Sequence, residues 1–141
     1  MIEGKNTLPE FWEGLGTEKH ELYGSGNHCM FGSIDAFFYE ALAGIRAYGE
    51  VEIRPYIPKD LNYVSAYADT KIGTLYVDWR RDKNRIYIDI LKPCEWNGRL
   101  VIRKEYVKNA YRVTGLVKEC EDDKFLYFRM SDNGLCHMEC D

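Results

Sequence analysis

The sequence has no block of Lys and Arg, no long apolar run and no Cys-x-x-Cys pair, and its 141 residues include only four Pro and three His. Each absence closes off a class of function. A nucleic-acid surface needs clustered cations. Here the net charge is −4, and the densest basic stretch, Arg80-Arg81 with Lys83 and Arg85, is interrupted by Asp82. That pattern fits a solvated hairpin, so nucleic acid is not an expected partner. No stretch approaches the roughly 20 apolar residues that cross a bilayer, and the first thirty residues carry no signal pattern. The chain therefore reads as soluble and cytoplasmic, with no membrane partner. The five Cys (29, 94, 120, 136 and 140) are odd in number, and none has zinc-site spacing. On a strand, Cys136 and Cys140 would share a face but lie roughly 13 Å apart, too far to bridge. Reduced thiols are the expectation, not a disulfide framework. His20 with His28, or His28 with Cys29, lacks a third ligand fixed by spacing, so neither a metal nor a cofactor is implied.

What is plentiful is aromatic: eleven Tyr, six Phe and three Trp make 14% of the chain. Such residues suit pleated, half-buried surfaces and lean the reading towards strands. Residues 1–31 carry repeated Gly and Pro punctuation and read as irregular, either a disordered leader or a functional loop detached from its scaffold. Ile34, Phe37, Phe38, Ala41, Leu42 and Ile45 then repeat at helical period. Ser33 is placed to cap this helix, Asp35 suits its positive end, and Gly44 or Gly49 can stop it. The stripe is bulky for a lone helix and calls for a partner surface.

After Pro55 and Pro58 the period changes to two. Leu75, Val77 and Trp79 alternate with Tyr76, Asp78 and Arg80, and Ile86, Ile88 and Ile90 with Tyr87 and Asp89. Arg81-Asp82-Lys83-Asn84 lies between as a polar turn, which makes a hairpin. Further strands are expected at 63–68, 99–103, 111–117, 125–130 and 135–140. Asn97-Gly98 and Asp132-Asn133-Gly134 supply turn residues. The fold class is mostly β: an antiparallel β-sandwich preceded by a loop and one amphipathic helix.

Chemistry-bearing residues are sparse in the β part, whose acids fall on polar faces or in turns. His137 reads as a lone strand residue of structural or surface type. The N-terminal loop is denser, with Glu10, Trp12, Glu13, Glu18, His20, Glu21, Tyr23, Asn27 and His28 in a short span. Carboxylates can act as acid and base on a glycosidic bond, a Trp ring can stack on a sugar, and Asn or His can bond its hydroxyls. A solvated acidic loop has the same composition.

The string from Ser25 to Tyr39, SGNHCMFGSIDAFFY, resembles the SxNHxMFGSxxxWFY segment of bacterial α-L-rhamnosidases. Leu42-Ala43-Gly44-Ile45 and Ile53-Arg54-Pro55 resemble that family's LAGI and IRP elements. Gly73 to Trp79 resembles its G-x-[IL]-x-[SV]-x-W strand. The resemblance runs over about residues 7–103, in order. It implies that residues 1–49 are a loop and last helix of a catalytic (α/α)6 barrel, and residues 50–141 a C-terminal β-sandwich domain. The implied reaction is inverting hydrolysis of terminal α-L-rhamnose, in which one Glu is the general acid and another activates water from the opposite face. Thr7-Leu8-Pro9-Glu10 aligns with a T-[LM]-W-E element, with Pro9 in the Trp position. This makes Glu10 the candidate general base, with Trp12-Glu13 a second match. His28 corresponds to a histidine facing the sugar subsite, and Trp12 and Asn27 are further candidate substrate-binding residues.

No counterpart to the family's general acid occurs in the sequence. The chain is therefore expected to be an inactive C-terminal fragment of such an enzyme. Its expected partners are a rhamnose-containing carbohydrate or the missing catalytic barrel, and the stripe 34–45 offers a homodimer surface. The alternatives are a stand-alone carbohydrate-binding sandwich, using Tyr63, Tyr67, Tyr76 and Tyr87, or a purely structural module.

Overall fold

The computed structural model describes residues 33–46, 51–71, 73–93, 96–131 and 134–141. The chain divides into two compact units, Met1–Phe37 and Phe38–Asp141. The described part of the first is Ser33 to Phe37, which includes a short α-helix, α1 (Ile34–Ala36). A π-helical segment spans Phe37–Ala43. Among the described residues, no helix is long and apolar enough to cross a membrane.

Ten strands follow in chain order: β1 (Ile45–Arg46), β2 (Val51–Ile53), β3 (Tyr63–Thr70), β4 (Gly73–Asp82), β5 (Arg85–Leu91), β6 (Gly98–Arg103), β7 (Tyr111–Thr114), β8 (Leu116–Glu121), β9 (Phe125–Met130) and β10 (Leu135–Cys140). They form two five-stranded sheets, ordered β1-β2-β6-β9-β8 and β3-β4-β5-β10-β7. Among the described residues only β2 and β6 run parallel; the other pairs are antiparallel. The β-sandwich reading holds.

Alternation sets which face of each strand meets the other sheet. Leu75, Val77 and Trp79 on β4, Ile86, Ile88 and Ile90 on β5, and Cys136, Met138 and Cys140 on β10 point inward. From the first sheet Leu100, Ile102, Leu126, Phe128 and Met130 complete the same core. Each fully buried large apolar side chain contributes roughly 1.5–3 kcal/mol, an upper estimate because unfolded chains already bury some surface.

The elements that resemble the rhamnosidase pattern meet in space. Gly44 ends the helical segment with φ of +78°, a conformation that side chains with a Cβ rarely adopt. A Cβ there would also lie 2.3 Å from the Arg54 carbonyl carbon and the Pro55 nitrogen. Arg54 N–H donates to Gly44 O, Tyr56 N–H donates to Ala41 O, and Ile45 pairs with Ile53. The Trp79 indole Nε1–H donates to Leu42 O at 2.7 Å. The LAGI, IRP and Trp-ending strand elements are thus one packing unit that fastens residues 41–45 to the sandwich.

Four expectations need correction. Ser33 makes no side-chain cap bond to the helix, because its own backbone is already helical. Ile45 does not extend the helical stripe; it is buried in β1, because the chain turns at Gly44. The expected single strand 111–117 is two strands in different sheets. Gly115, at φ +69°, turns the chain from β7 to β8, and a Cβ there would meet Leu135 O at 2.3 Å. The hairpin turn narrows to Lys83-Asn84, with Lys83 at φ 54°. Residues 132, 133 and Gly49, also named as turn or stop signals, lie outside the described residues.

Candidate functional site

Glu10, Trp12, Glu13, Asn27 and His28 lie outside the described residues, as do Cys29 and Cys94. Of the sequence-level candidates, the structure therefore places the tyrosines of the sandwich. Period two turns Tyr63, Tyr67, Tyr76 and Tyr87 away from the core, and all four fall on the outward face of the second sheet.

Strand register arranges that face in three rows running across the strands. One is apolar: Tyr67 pairs with Tyr76, Tyr76 with Leu91, and Leu91 with Leu135. Their exposures are 57, 44, 49 and 55% in that order, and the two tyrosine rings lie 6.0 Å apart, tilted by 35°. The next row is polar, running Ser65, Asp78, Asp89, His137 and Thr114. The third runs Tyr63, Arg80, Tyr87, Glu139 and Arg112. Successive rows lie two residues apart along a strand, about 7 Å.

The polar row is only partly satisfied. His137 Nδ1 and Asp89 Oδ1 are 2.6 Å apart, a hydrogen bond that ties β10 to β5. Asp78 stands directly opposite Asp89, and its carboxylate makes no hydrogen bond or ion pair with any described residue. Like charges in this position destabilise a sheet. In the third row the Arg80 guanidinium lies 4.5 Å from the Tyr87 ring centroid, and Arg85 nearby bonds Glu139 at 3.3 Å. A shallow depression of about 260 Å³ opens between the rows, lined by Tyr63, Ser65, Asp78, Arg80 and Asp89. No group of three or more metal-ligating side chains occurs among the described residues.

Reading the sequence identified the tyrosines but passed over Asp78, Asp89 and His137 as ordinary surface residues. The signal for the carboxylate pair was available. With a two-residue turn at Lys83-Asn84, Asp78 and Asp89 are symmetric about the turn. A four-residue turn at 81–84 shifts the pairing and hides this.

Two of the described thiols, Cys136 and Cys140, belong to the core, and Cys120 is exposed. Cys120, Cys136 and Cys140 are free. Burial pushes the Cys140 thiol up to about 12 and also raises that of Cys136. Neither is a poised nucleophile, since the thiolate is the reactive form.

The described fold is an antiparallel-dominated β-sandwich with one aromatic, partly unsatisfied outer face. Residues 43–116 match the family of bacterial alpha-L-rhamnosidase C-terminal domains. This chain belongs to that family. Among solved structures, the α-L-rhamnosidase from Dictyoglumus thermophilum is 24% identical with a TM-score of 0.69, over 82% of this chain and 14% of that one. The Streptomyces avermitilis α-L-rhamnosidase, solved with L-rhamnose, is 18% identical with a TM-score of 0.73, over 84% of this chain and 12% of that one. At these identities the likeness shows the fold. The chain spans about one-seventh or less of either enzyme's length. No curated protein matches it in sequence.

Proposed function

We propose that this chain serves as the C-terminal sandwich portion of an α-L-rhamnosidase-type glycoside hydrolase, whose reaction is the inverting hydrolysis of terminal α-L-rhamnose. The observation that carries the reading is the family match over residues 43–116, which includes residues 43–45, 53–55 and Trp79 of the packing unit and leaves out only Leu42. Glu10 is assigned as general base, with Glu13 as the alternative. Trp12, Asn27 and His28 are assigned to the sugar subsite. These roles come from the N-terminal sequence pattern.

The chain by itself is inactive in this proposal. A positioned acid or base contributes of order 10²- to 10⁴-fold, and nothing in the sequence corresponds to the family's general acid. Its partner is the rest of a catalytic barrel. The exposure of Ile34 and Tyr39, at 54 and 42%, supports an apolar contact along the helical segment, with a second copy of the chain as the alternative occupant. Free Cys120, Cys136 and Cys140 are compatible with a reducing, cytoplasmic setting.

The test is titration of L-rhamnose into isotopically labelled full chain, followed by backbone amide NMR. Shifts within residues 7–30 that vanish in His28→Ala are expected. Rhamnoside hydrolysis by the chain alone would contradict the proposed inactivity. Absence of shifts in 7–30 would remove the subsite assignment.

A further inference from the structure

We propose that the outward face of β3, β4, β5 and β10 is a binding platform for a neutral oligosaccharide. One sugar ring lies over the Tyr67–Tyr76 pair and another over Tyr63, with hydroxyls between them donating to Asp78. This goes beyond the glycosidase subsite assigned to residues 7–30 and does not depend on it.

The spacing supports this ligand. Tyr63 and Tyr67 lie four residues apart on β3, roughly 13 Å, which is the scale of a short oligosaccharide. The depression beside Tyr63, lined also by Ser65, Asp78, Arg80 and Asp89, is about 260 Å³, just under the usual range for ligand sites, and suits a single sugar ring. The chemistry alternates as a sugar does. Tyr67, Tyr76, Leu91 and Leu135 offer an apolar strip for ring C–H groups, and the next row offers carboxylate acceptors.

Charge narrows the class further. Asp78, Asp89 and Glu139 lie on this face. Among its cations, Arg80 is stacked on Tyr87 and Arg85 is bonded to Glu139, leaving Arg112 at the β7 edge. An anionic glycan would bring its charge to the unpaired Asp78 carboxylate. A protein partner covering the same area would desolvate the facing Asp78 and Asp89, at a substantial cost. A neutral polyol supplies hydroxyl donors to the acceptor that lacks one, and relieves the unfavourable pair instead of burying it.

The test uses the full chain, labelled with ¹⁵N, and three probes: cellotriose, a neutral trisaccharide ending in L-rhamnose, and trigalacturonate. The neutral probes are expected to shift amides in 63–67, 76–80, 87–91 and 135–137, with trigalacturonate giving weaker shifts. Tyr67→Ala is expected to weaken binding by about tenfold, the scale of losing one buried aromatic contact. Tyr63→Ala, the second variant, should act similarly, and a dispersed spectrum shows that each still folds. The proposal is overturned if neither neutral probe shifts this face, if trigalacturonate binds as well, or if both variants bind unchanged. Shifts confined to residues 7–30 would overturn it while supporting the glycosidase subsite.

Discussion

The two sheets present opposite kinds of outer surface. On the first, charges are matched. Arg99 and Arg129 stand directly opposite each other, and Glu119 lies 3.5 Å from each. Glu121 bonds both Lys118 and Lys104, and Arg54 and Arg103 lie over the Phe125 ring at 4.1 and 5.9 Å. On the second sheet the facing pair is two carboxylates, only Asp89 has a partner among the described residues, and the apolar row is open. A like-charge pair on the first sheet is bridged; on the second it is left half-answered. Surface matching of the first kind adds a little stability. Leaving a mismatch on an exposed aromatic face instead costs a little, which is where a ligand can repay it.

The contrast is confined to the outer faces, and the largest expected effect comes from the core they share. Trp79→Ala removes a side chain 1% exposed together with its bond to Leu42 O. It should cost about 3–5 kcal/mol in denaturant unfolding and free the 41–45 segment as well as loosen the sandwich. A loss below about 1 kcal/mol would mean that this packing unit does not fasten the helical segment.

Charge removal on the first sheet comes next. Glu119→Gln leaves Arg99 facing Arg129 without its bridge. A loss of up to about 1 kcal/mol is expected, shrinking as salt is added.

The smallest effect is in acid. Hydrogen bonds from Lys118 and then Lys104 hold the Glu121 carboxyl down to about 2, from an ordinary 4.5. The Tyr127 hydroxyl, then the Lys124 and Phe125 amides, lower Asp122 below its usual 3.8. Carboxyls depressed in the folded state add stability above their unfolded pKa, and that stability is lost as pH falls to the folded value. Part of the chain's acid sensitivity should therefore lie between pH 4.5 and pH 2, diminish in Glu121→Gln, and fade in high salt because these groups are exposed. An unchanged acid slope in that variant would count against the matched-surface reading.

Much of the fold was legible because strand periodicity is local. The runs at 125–130 and 135–140 are β9 and β10 as expected, and the hairpin of β4 and β5 followed from two alternating runs with a polar turn between them. What the sequence hid was set by distant backbone. Ile45 continues a helical stripe on paper, but close approach of Arg54 and Pro55 demands the turn at Gly44. Gly115 looks like an interruption until Leu135 is beside it, and β1 and β2 are too short to leave a period. The outer face was half legible. Tyrosine positions follow from alternation, but the Asp89–His137 contact depends on β5 and β10 pairing across 48 residues of sequence. No local pattern announces such a pairing.

The difference between the two outer faces is tested most directly by equilibrium unfolding of Asp78→Asn at neutral pH, beside Glu119→Gln. Removing Asp78's charge should stabilise the chain by a few tenths of a kcal/mol, raising the midpoint with an unchanged denaturant slope, while Glu119→Gln lowers it. A lower midpoint for Asp78→Asn would show that this carboxylate is a stabilising part of the sheet, and the contrast between the faces would fail.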